Sequence, residues 1–282
     1  MKKIKRINKV KLPLVRPCPC AIDHISCGYY NISHILGCPY NCSYCFLHSY
    51  YGKDEIVVYD NDVELLRQTA EFLRKQQTPC RVGTGQYSDS LALDLKTGMS
   101  KKLIELFARQ DKHLLELKTK SANVDHLLGL NHNRKTVIAW SVNPQKIVAN
   151  NEHGAVSLSK RLQAAKKCAK AGYPVAFHFD PIIAYDGWDK DYAKVVDLIF
   201  ELPDKAIAWI SLGALRYKQN RYPEEKRIEI FNEMASFIRQ HSFFVYLYLC
   251  MENKNVWQKT QLSNCDPANN PYIKLFSFSQ KS

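Results

Sequence analysis

Three cysteines lie close together in the stretch GCPYNCSYCF at 37–46. Cys38, Cys42 and Cys45 follow the spacing C-x3-C-x2-C, and the glycine, proline and asparagine between them favour a compact loop that directs three thiolates to one centre. A closed zinc site takes four ligands, for which His48 is the candidate fourth. A [4Fe–4S] cluster held by three thiolates leaves one iron open to a small molecule, so the triad favours an iron–sulfur cluster.

The composition indicates a reducing compartment and an anionic partner. Of the ten cysteines in 282 residues, six lie between Cys18 and Cys45, and such spacing in a reducing cytoplasm indicates metal ligation rather than disulfides. The net charge of +13 favours nucleic acid as a partner. No apolar run follows the N-terminal charges, and nowhere do about 18 uninterrupted apolar residues occur. We therefore expect a cytoplasmic protein without a signal peptide or membrane span.

Short apolar runs alternate with helical patterns and predict the elements that position the cysteine loop. NISHILG at 31–37 predicts a strand that enters this loop. NDVELLRQTAEFLRKQ at 61–76 predicts a helix capped by Asn61, and SLSKRLQAAKKCAKAG at 157–172 predicts another. Further strands are predicted at 80–85, 113–119, 136–143, 174–183, 206–215 and 243–250.

This alternation, with nearly continuous apolar strands, indicates a parallel sheet buried on both faces. About six β/α units would form a partial (βα)6-type TIM barrel, with its chemistry at the carboxyl ends of the strands. We expect one barrel at 29–250. A basic, cysteine-containing arm at 1–28 precedes it, and a C-terminal tail at 251–282 packs on or caps it.

The cysteine spacing, the strand before it and the aromatic residues around Cys45 resemble the radical S-adenosylmethionine superfamily. In that superfamily the open iron of a [4Fe–4S] cluster binds S-adenosylmethionine, and one electron cleaves the sulfonium to methionine and a 5′-deoxyadenosyl radical. Collinear matches over about residues 31–192 narrow the resemblance to spore photoproduct lyase and its relatives. They are GCPYNCSYCFLHSYYG, SDS at 88–90, TKSANVDHLL at 119–128, HNRKT, SVN and KAGYPVAFHFDPIIAYDGW. The run YLCMENKNVW at 248–257 looks like the lyase-like proteins called DNA repair photolyases.

The resemblance implies contacts to S-adenosylmethionine at the turn GTGQ, which holds Gly83, Gly85 and Gln86. Radical enzymes carry a glycine-rich turn there against the methionine amino group. The two glycines also permit a close backbone approach in their own right, so a purely structural turn fits this stretch as well.

Polar residues at later strand ends are also assigned by the resemblance. Lys120 is similar to the lysine that pairs with the methionine carboxylate, while Ser141 and Asn143 resemble polar contacts to the same cofactor. His178 and Asp180 share one face of a strand, because side chains alternate with a period of two, and we expect them to face the barrel mouth. A hydrogen-bonded core histidine fits His178 equally well.

One departure from the lyase concerns hydrogen donation. Where spore photoproduct lyase has the cysteine that donates hydrogen to the repaired thymine radical, this chain has Gln86, whose strong amide N–H bond cannot replace a thiol. Tyr44 matches a tyrosine assigned to radical relay in the lyase. Tyr87, Cys80 and Cys250 are the candidates to substitute for the missing thiol.

A second group of cysteines lies upstream of the triad. Cys18, Cys20 and Cys27 are candidates for an auxiliary metal or cluster, with Cys265 or His24 as an added ligand. The proline-interrupted sequence around them is the argument against ligation.

These residues indicate a radical S-adenosylmethionine enzyme that abstracts hydrogen from a substrate. Nucleic acid is the expected substrate, because the chain is basic and cations alternate with aromatic residues at 216–222. A reductase such as flavodoxin or ferredoxin is the expected electron donor. The alternatives are the same radical chemistry on a peptide or small molecule, and a zinc-bound nucleic-acid-binding module without catalysis.

Overall fold

A curled sheet of eight strands forms the centre of this computed structural model, which describes residues 2–9, 13–20, 23–51, 54–216, 221–260 and 262. In chain order the strands are β1 (Lys3–Ile7), β2 (Val15–Pro17), β3 (Tyr30–Ile32), β4 (Ile35–Leu36), β5 (Asn41–Cys42), β6 (Glu55–Tyr59), β7 (Arg81–Gly83), β8 (Leu114–Thr119), β9 (Thr136–Ser141), β10 (Glu152–His153), β11 (Val175–Ile182), β12 (Ile207–Ala214) and β13 (Leu247–Leu249). The helices are α1 (Leu47–Tyr51), α2 (Asp62–Lys75), α3 (Asp94–Thr97), α4 (Met99–Ala108), α5 (Gln145–Asn151), α6 (Leu158–Lys170), α7 (Trp188–Ile199), α8 (Glu224–His241) and α9 (Lys254–Thr260), with 3-10 helices at Asp125–Leu127 and Asp204–Ala206.

The large sheet confirms the predicted α/β partial barrel of parallel strands with outer helices. Its strand order is β13-β12-β11-β9-β8-β7-β3-β2, and every neighbouring pair is parallel except β2 with β3. Helix α4 packs on β8, α6 on β9 and α8 on β12. Strand β2 was not predicted, because it is short and ends in Pro17, a residue that lacks the N–H of a central strand and belongs at a sheet edge.

The predicted helix starts are confirmed by their side-chain caps. The Asn61 side chain accepts a hydrogen bond from the backbone N–H of Glu64 at 3.1 Å, and α2 begins at the next residue. Ser157 caps α6 in the same way, and Gly172 follows that helix in the left-handed conformation at φ +88°. Among the helices in the described ranges, none is long and apolar enough to cross a membrane.

The stretch at 31–37, predicted as a single strand, contains two strands in different sheets. Strand β3 belongs to the large sheet, whereas β4 pairs antiparallel with β6 in a smaller sheet that also holds β1. The chain changes sheets at the buried His34, and Ile35 then packs into a separate apolar cluster with Ile56 and Val58. Burial in this second cluster explains why the apolar run does not continue as one strand.

The basic residues near the N-terminus form an edge strand of the small sheet. Strand β1 pairs in parallel with β6, and the side chains of Lys3 and Lys5 are exposed. Arg6 Nη1 lies 2.5 Å from Asp60 Oδ1. The proposed domain limits at residues 28 and 250 stay predictions, and the end of the tail, residues 263–282, lies outside the described residues.

The two edges of the curled sheet, β2 and β13, are joined across an opening that we call the barrel gap. The buried Arg81 on β7 reaches across it and donates a hydrogen bond to the Tyr248 hydroxyl on β13 at 2.6 Å. The loop between β2 and β3 also contacts the chain after β13, because Ile25 N–H donates to the Glu252 carbonyl at 2.9 Å. Side-chain and backbone contacts therefore close the half-barrel.

Replacing Tyr248 by phenylalanine should lower the free energy of unfolding by about 1.5–3 kcal/mol, because the buried Arg81 guanidinium loses a hydrogen-bond acceptor. Urea unfolding followed by circular dichroism measures this change. The control is Tyr50→Phe, at a tyrosine that is 75% exposed, for which we expect a change within about 0.5 kcal/mol. Equally small changes in the free energy of unfolding of Tyr248→Phe and Tyr50→Phe would contradict the inference that Tyr248 helps to close the half-barrel.

Candidate active site

Most of the predicted site residues lie at one edge of the barrel. Strands β3, β7, β8, β9 and β11 run in parallel, so their carboxyl ends share that edge. The cysteine loop follows the first of these strands after the short β4. The turn around Gly85 follows β7, Lys120 follows β8, Ser141 ends β9, and Asp180 lies near the end of β11. The fold therefore brings together residues that are far apart in sequence.

The cysteine loop is held from two sides. The backbone N–H of Gly37, at φ +88°, donates to the Tyr87 carbonyl at 3.0 Å, and a Cβ at this position would lie 2.9 Å from the Glu55 carbonyl oxygen. A side chain is therefore disfavoured at Gly37 both by the backbone angle and by the lack of space. On the other side β5 pairs antiparallel with β10, which fixes Cys42 opposite Glu152.

Burial raises the pKa of Cys38 to about 12 and that of Cys42 to about 11. Asp89 and the thiols of Cys42 and Cys45 act in the same direction on Cys38, which shows that the three side chains share one space. Lys120 opposes the rise at Cys42. Thiolates at this position therefore need a metal centre to stabilise their charge.

The donor set of the loop is three thiols, and a [4Fe–4S] cluster held by three thiolates leaves one iron open. Within the described part of the chain, no three His, Cys, Asp or Glu side chains are close enough to hold one metal ion. The same finding gives no support to a single ion at Cys18, Cys20 and Cys27, and Cys265 lies outside the described residues.

A buried carboxylate, Glu152, lies behind the cysteine loop. It accepts hydrogen bonds from the Tyr44 hydroxyl and, at 3.0 Å, from the Asn143 amide, and Arg161 Nη2 lies 2.5 Å from its second oxygen. Burial alone would raise the pKa of Glu152, but Lys120 and Arg161 outweigh burial and lower it. Glu152 is therefore a carboxylate at neutral pH, and its charge is balanced by these two cations.

Neither Glu152 nor Arg161 was found by sequence reasoning. Neither residue belongs to a motif, and a charged side chain in a helix or a loop is usually exposed to solvent. Both side chains are fully buried here. The hydroxyl of Tyr44 is engaged by Glu152, and its role in radical relay stays a prediction.

Lys120 lies at the end of β8, next to the cysteine loop. Its backbone N–H donates to Asp89 at 2.6 Å, and its ammonium nitrogen lies 5.8 Å from the centroid of the Tyr44 ring. Burial acts to lower the pKa of Lys120, but the negative charge of Glu152 and of a Cys42 thiolate outweighs it and raises the pKa. The ammonium group is therefore charged and close to the loop.

Gly83, which ends β7, and Gly85, in the turn after it, are required by the packing of this part of the chain on β8. A Cβ on Gly83 would lie 2.2 Å from the carbonyl oxygen of Glu116, and one on Gly85 would lie 2.7 Å from the Cβ of Lys118. The backbone N–H of Gln86 donates to the Asn31 side chain at 3.1 Å. Close packing against β8 thus accounts for both glycines, and their contact with a cofactor stays a prediction.

Ser141, which ends β9, and Asn143, which follows it, have protein partners. Both ends of the Asn143 amide are occupied, since its oxygen accepts a hydrogen bond from Tyr192 at 2.6 Å and its nitrogen donates to Glu152. The carbonyl oxygen of Ser141 accepts from Arg161 at 3.0 Å. Asn143 thus supports the position of Glu152, and the predicted contacts of both residues with a cofactor stay predictions.

His178 and Asp180 lie on the inner face of the barrel at different depths. The ring nitrogens of His178 are 2.5 Å from Ser211 Oγ and 2.6 Å from Glu116 Oε1, so this residue has the contacts expected of a hydrogen-bonded core histidine. Asp180 lies nearer the mouth, 2.5 Å from Arg216 Nη2. Arg216 lowers the pKa of Asp180 against the effect of burial.

A curled parallel sheet with a three-cysteine loop at its carboxyl edge defines the class of radical S-adenosylmethionine proteins. The chain belongs to the spore photoproduct lyase family, whose family model matches residues 24–233. It is 37% identical over 181 residues to spore photoproduct lyase of Bacillus subtilis (strain 168), covering 63% of this chain and 52% of that protein. It is 34% identical over 212 residues to spore photoproduct lyase of Geobacillus sp. (strain Y412MC61), covering 70% of this chain and 61% of that protein. The matched part of the chain thus spans a little over half the length of these relatives.

Solved structures support the same assignment. A cysteine-to-alanine mutant of spore photoproduct lyase has a TM-score of 0.72 and 26% identity, covering 78% of this chain and 76% of that chain. Spore photoproduct lyase complexed with dinucleoside spore photoproduct has a TM-score of 0.70 over the same shares. Streptococcus suis SuiB bound to S-adenosylmethionine is 11% identical and has a TM-score of 0.56, covering 82% of this chain and 48% of that chain. At this identity the similarity shows the fold alone. The predicted family and fold are confirmed.

Because of the ion pairs of Glu116, the free energy of unfolding should depend on pH in the acidic range. Arg81 and His178 outweigh burial and lower the pKa of Glu116 from 4.5 to about 2. The stabilisation is therefore complete above the unfolded-state pKa and is lost as the pH falls towards the folded-state pKa. At pH 7 the parent should have a higher free energy of unfolding than Glu116→Gln. This difference should fall by about 2 kcal/mol between pH 7 and about pH 3.

Urea titrations across this pH range measure the effect. Glu233→Gln, at an exposed glutamate on α8, is the matched control and should follow the parent at every pH. A constant difference between the parent and Glu116→Gln would show that Glu116 has an ordinary pKa.

Proposed function

We propose that this protein is a radical S-adenosylmethionine enzyme that abstracts hydrogen from a nucleic-acid substrate bound at the barrel mouth. The observation that carries the proposal is the meeting of the three-cysteine loop and Lys120 at the carboxyl edge of the barrel. When bound, the [4Fe–4S] cluster and S-adenosylmethionine supply a 5′-deoxyadenosyl radical. The chain itself would supply the cluster ligands, the orientation of the cofactor and a half-barrel that side-chain and backbone contacts hold together.

Cys38, Cys42 and Cys45 would hold the cluster. Lys120 is suited to pair with the methionine carboxylate, because its ammonium is charged and lies beside the cysteine loop. The Ser141 side chain, at the end of the neighbouring strand, would add a polar contact. The negative charge of Glu152 raises the pKa of Lys120, and its carboxylate pairs with Arg161 and holds Tyr44 against the loop.

The substrate assignment rests on the relatives and on charge. Structures of spore photoproduct lyase hold a dinucleoside spore photoproduct, and this chain carries a net charge of +13. A DNA lesion or a modified nucleic acid would therefore suit the mouth. Of the basic stretch at 216–222, residues 217–220 lie outside the described residues.

Gln86 favours a second candidate, the same radical chemistry on a peptide or small molecule. Its position is where the lyase has the donor thiol, and many radical reactions end without a protein thiol. The third candidate, a zinc-bound binding module, is less favoured, because the described residues include no set of three ligands around one ion. A reductase such as flavodoxin or ferredoxin would supply the electron in either radical reaction.

The Cys42→Ala variant tests the radical centre. After anaerobic reconstitution with iron and sulfide, the parent should produce 5′-deoxyadenosine on reduction with S-adenosylmethionine, and Cys42→Ala should lose at least about a hundredfold of this product, because one cluster ligand is missing. Cys168→Ala, which removes a buried thiol on α6, is the control and should retain both iron and product. A colourless parent that holds tightly bound zinc would overturn the proposal.

Salt-dependent DNA binding tests the substrate class. Retardation of a labelled DNA duplex should weaken by about tenfold or more between about 50 and 200 mM salt, because binding releases counterions. Replacing the exposed Lys3 and Lys5 on β1 by alanine should reduce the salt dependence, whereas Lys96 and Lys101, also exposed, serve as the control pair. No retardation at the lowest salt would favour the peptide or small-molecule alternative.

A further inference from the structure

Cys250 follows β13 and lies on the inner face of the barrel at its mouth. Tyr248, two residues earlier, is on that face, since its hydroxyl meets Arg81 inside the barrel. The backbone N–H of Cys250 donates to the Leu212 carbonyl at 2.8 Å and so continues the parallel ladder past the end of β13. Because side chains alternate along a strand, Cys250 shares the face of Tyr248, one layer closer to the mouth.

The surroundings of Cys250 belong to the candidate active site. Arg216, the partner of Asp180, donates from its other nitrogen to the Cys250 carbonyl at 2.7 Å. Burial raises the pKa of the Cys250 thiol, and Asp180 raises it further. The group is therefore the neutral S–H form at physiological pH, the form that carries a transferable hydrogen atom.

A second thiol lies beside Cys250. The loop between β2 and β3 meets the chain after β13 at Ile25 and Glu252, and this loop carries Cys27. Cys27 acts electrostatically on Cys250 and hydrogen-bonds with the Cys20 thiol. Cys250 is thus the mouth-facing member of a group of thiols at the barrel gap, separate from the cysteine loop.

The other candidates for a hydrogen donor are placed less well. Cys80 precedes β7, at the amino end of the barrel, and its sulfur contacts His113 Nδ1 at 3.1 Å. Cys168 is fully buried on the outer helix α6. Tyr87 lies in the turn after β7 beside Arg16, and its O–H bond is stronger than a thiol S–H bond.

We propose that Cys250 donates a hydrogen atom to carbon-centred radicals at the barrel mouth, in place of the thiol that Gln86 replaces. This inference rests on the proposed radical function. Gln86 follows β7 and Cys250 follows β13, and the Arg81–Tyr248 hydrogen bond joins these two strands across the barrel. The proposed donor therefore lies on the wall opposite Gln86.

The transfer moves one hydrogen atom. The S–H bond of Cys250 breaks, a C–H bond forms on the radical carbon, and the unpaired electron remains on Cys250 Sγ. The one-electron reductant required by the proposed function then supplies an electron, and solvent supplies a proton, to restore the thiol.

Solvent deuterium tests the inference without a substrate. The reconstituted full-length protein is incubated in D2O with dithionite and S-adenosylmethionine, and the deuterium in 5′-deoxyadenosine is measured by mass spectrometry. Thiol hydrogens exchange with D2O but carbon-bound hydrogens do not, so the parent should give deuterated product. Cys250→Ser, whose O–H bond is strong, should lower the deuterated fraction at least tenfold, whereas Cys168→Ala should match the parent.

Iron content and the cluster absorption spectrum, measured before each assay, separate the loss of a donor from the loss of the cluster. Deuterium that is unchanged in Cys250→Ser, or product from the parent without deuterium, overturns the inference and leaves the proposed function intact. A parent that forms no 5′-deoxyadenosine refutes the proposed function, and this inference with it. If Cys250→Ser does not retain its cluster, the deuterated fraction of the product is compared between Cys250→Ala and the parent. An equal fraction in the two proteins, or a parent product without deuterium, overturns the inference.

Discussion

The position of the cysteine loop depends on one buried carboxylate, that of Glu152, and on the partners that balance its charge. This one buried carboxylate meets Tyr44 from the loop, Asn143 from the end of β9 and Arg161 from α6. Its strand β10 also pairs directly with the strand that holds Cys42. A buried charge is tolerated only when it is paired and hydrogen-bonded, so the loop, the sheet and the helix must keep their relative positions. The three thiols are thus attached to the rigid part of the barrel.

A second charged group fills the barrel below the mouth. Arg81 stacks on the rings of Tyr29 and Trp209, lies 3.5 Å from Glu116 and reaches Tyr248, while Glu116 also meets His178. These contacts leave little room for a substrate at this depth. A substrate would therefore lie in the layer above, where Asp180, Arg216 and the strand ends lie.

Several features were readable from the sequence because their signals are local. The cysteine spacing, the caps at Asn61 and Ser157 and the strand–helix alternation each depend on residues a few positions apart, and the structure agrees with the caps and the alternation. The run at 31–37 was predicted wrongly as one strand, because its break depends on a second apolar cluster around Ile56 that is remote in sequence. The sequence also could not show that Gly83 and Gly85 face β8, which becomes visible only when the two strands are adjacent.

The sequence by itself identified the family and the candidate site, through three closely spaced cysteines on one loop and a lysine at the end of a strand. Only the tertiary structure decided which other side chains serve that site. Glu152, Arg161 and Arg216 have no motif around them, and their partners lie on other elements of the chain. Cys250 is one of ten cysteines in the sequence and becomes distinct only when β13 places it at the mouth. The physical reason is that buried charges and inward-facing thiols are defined by the strands that surround them, and those strands meet only in the folded barrel.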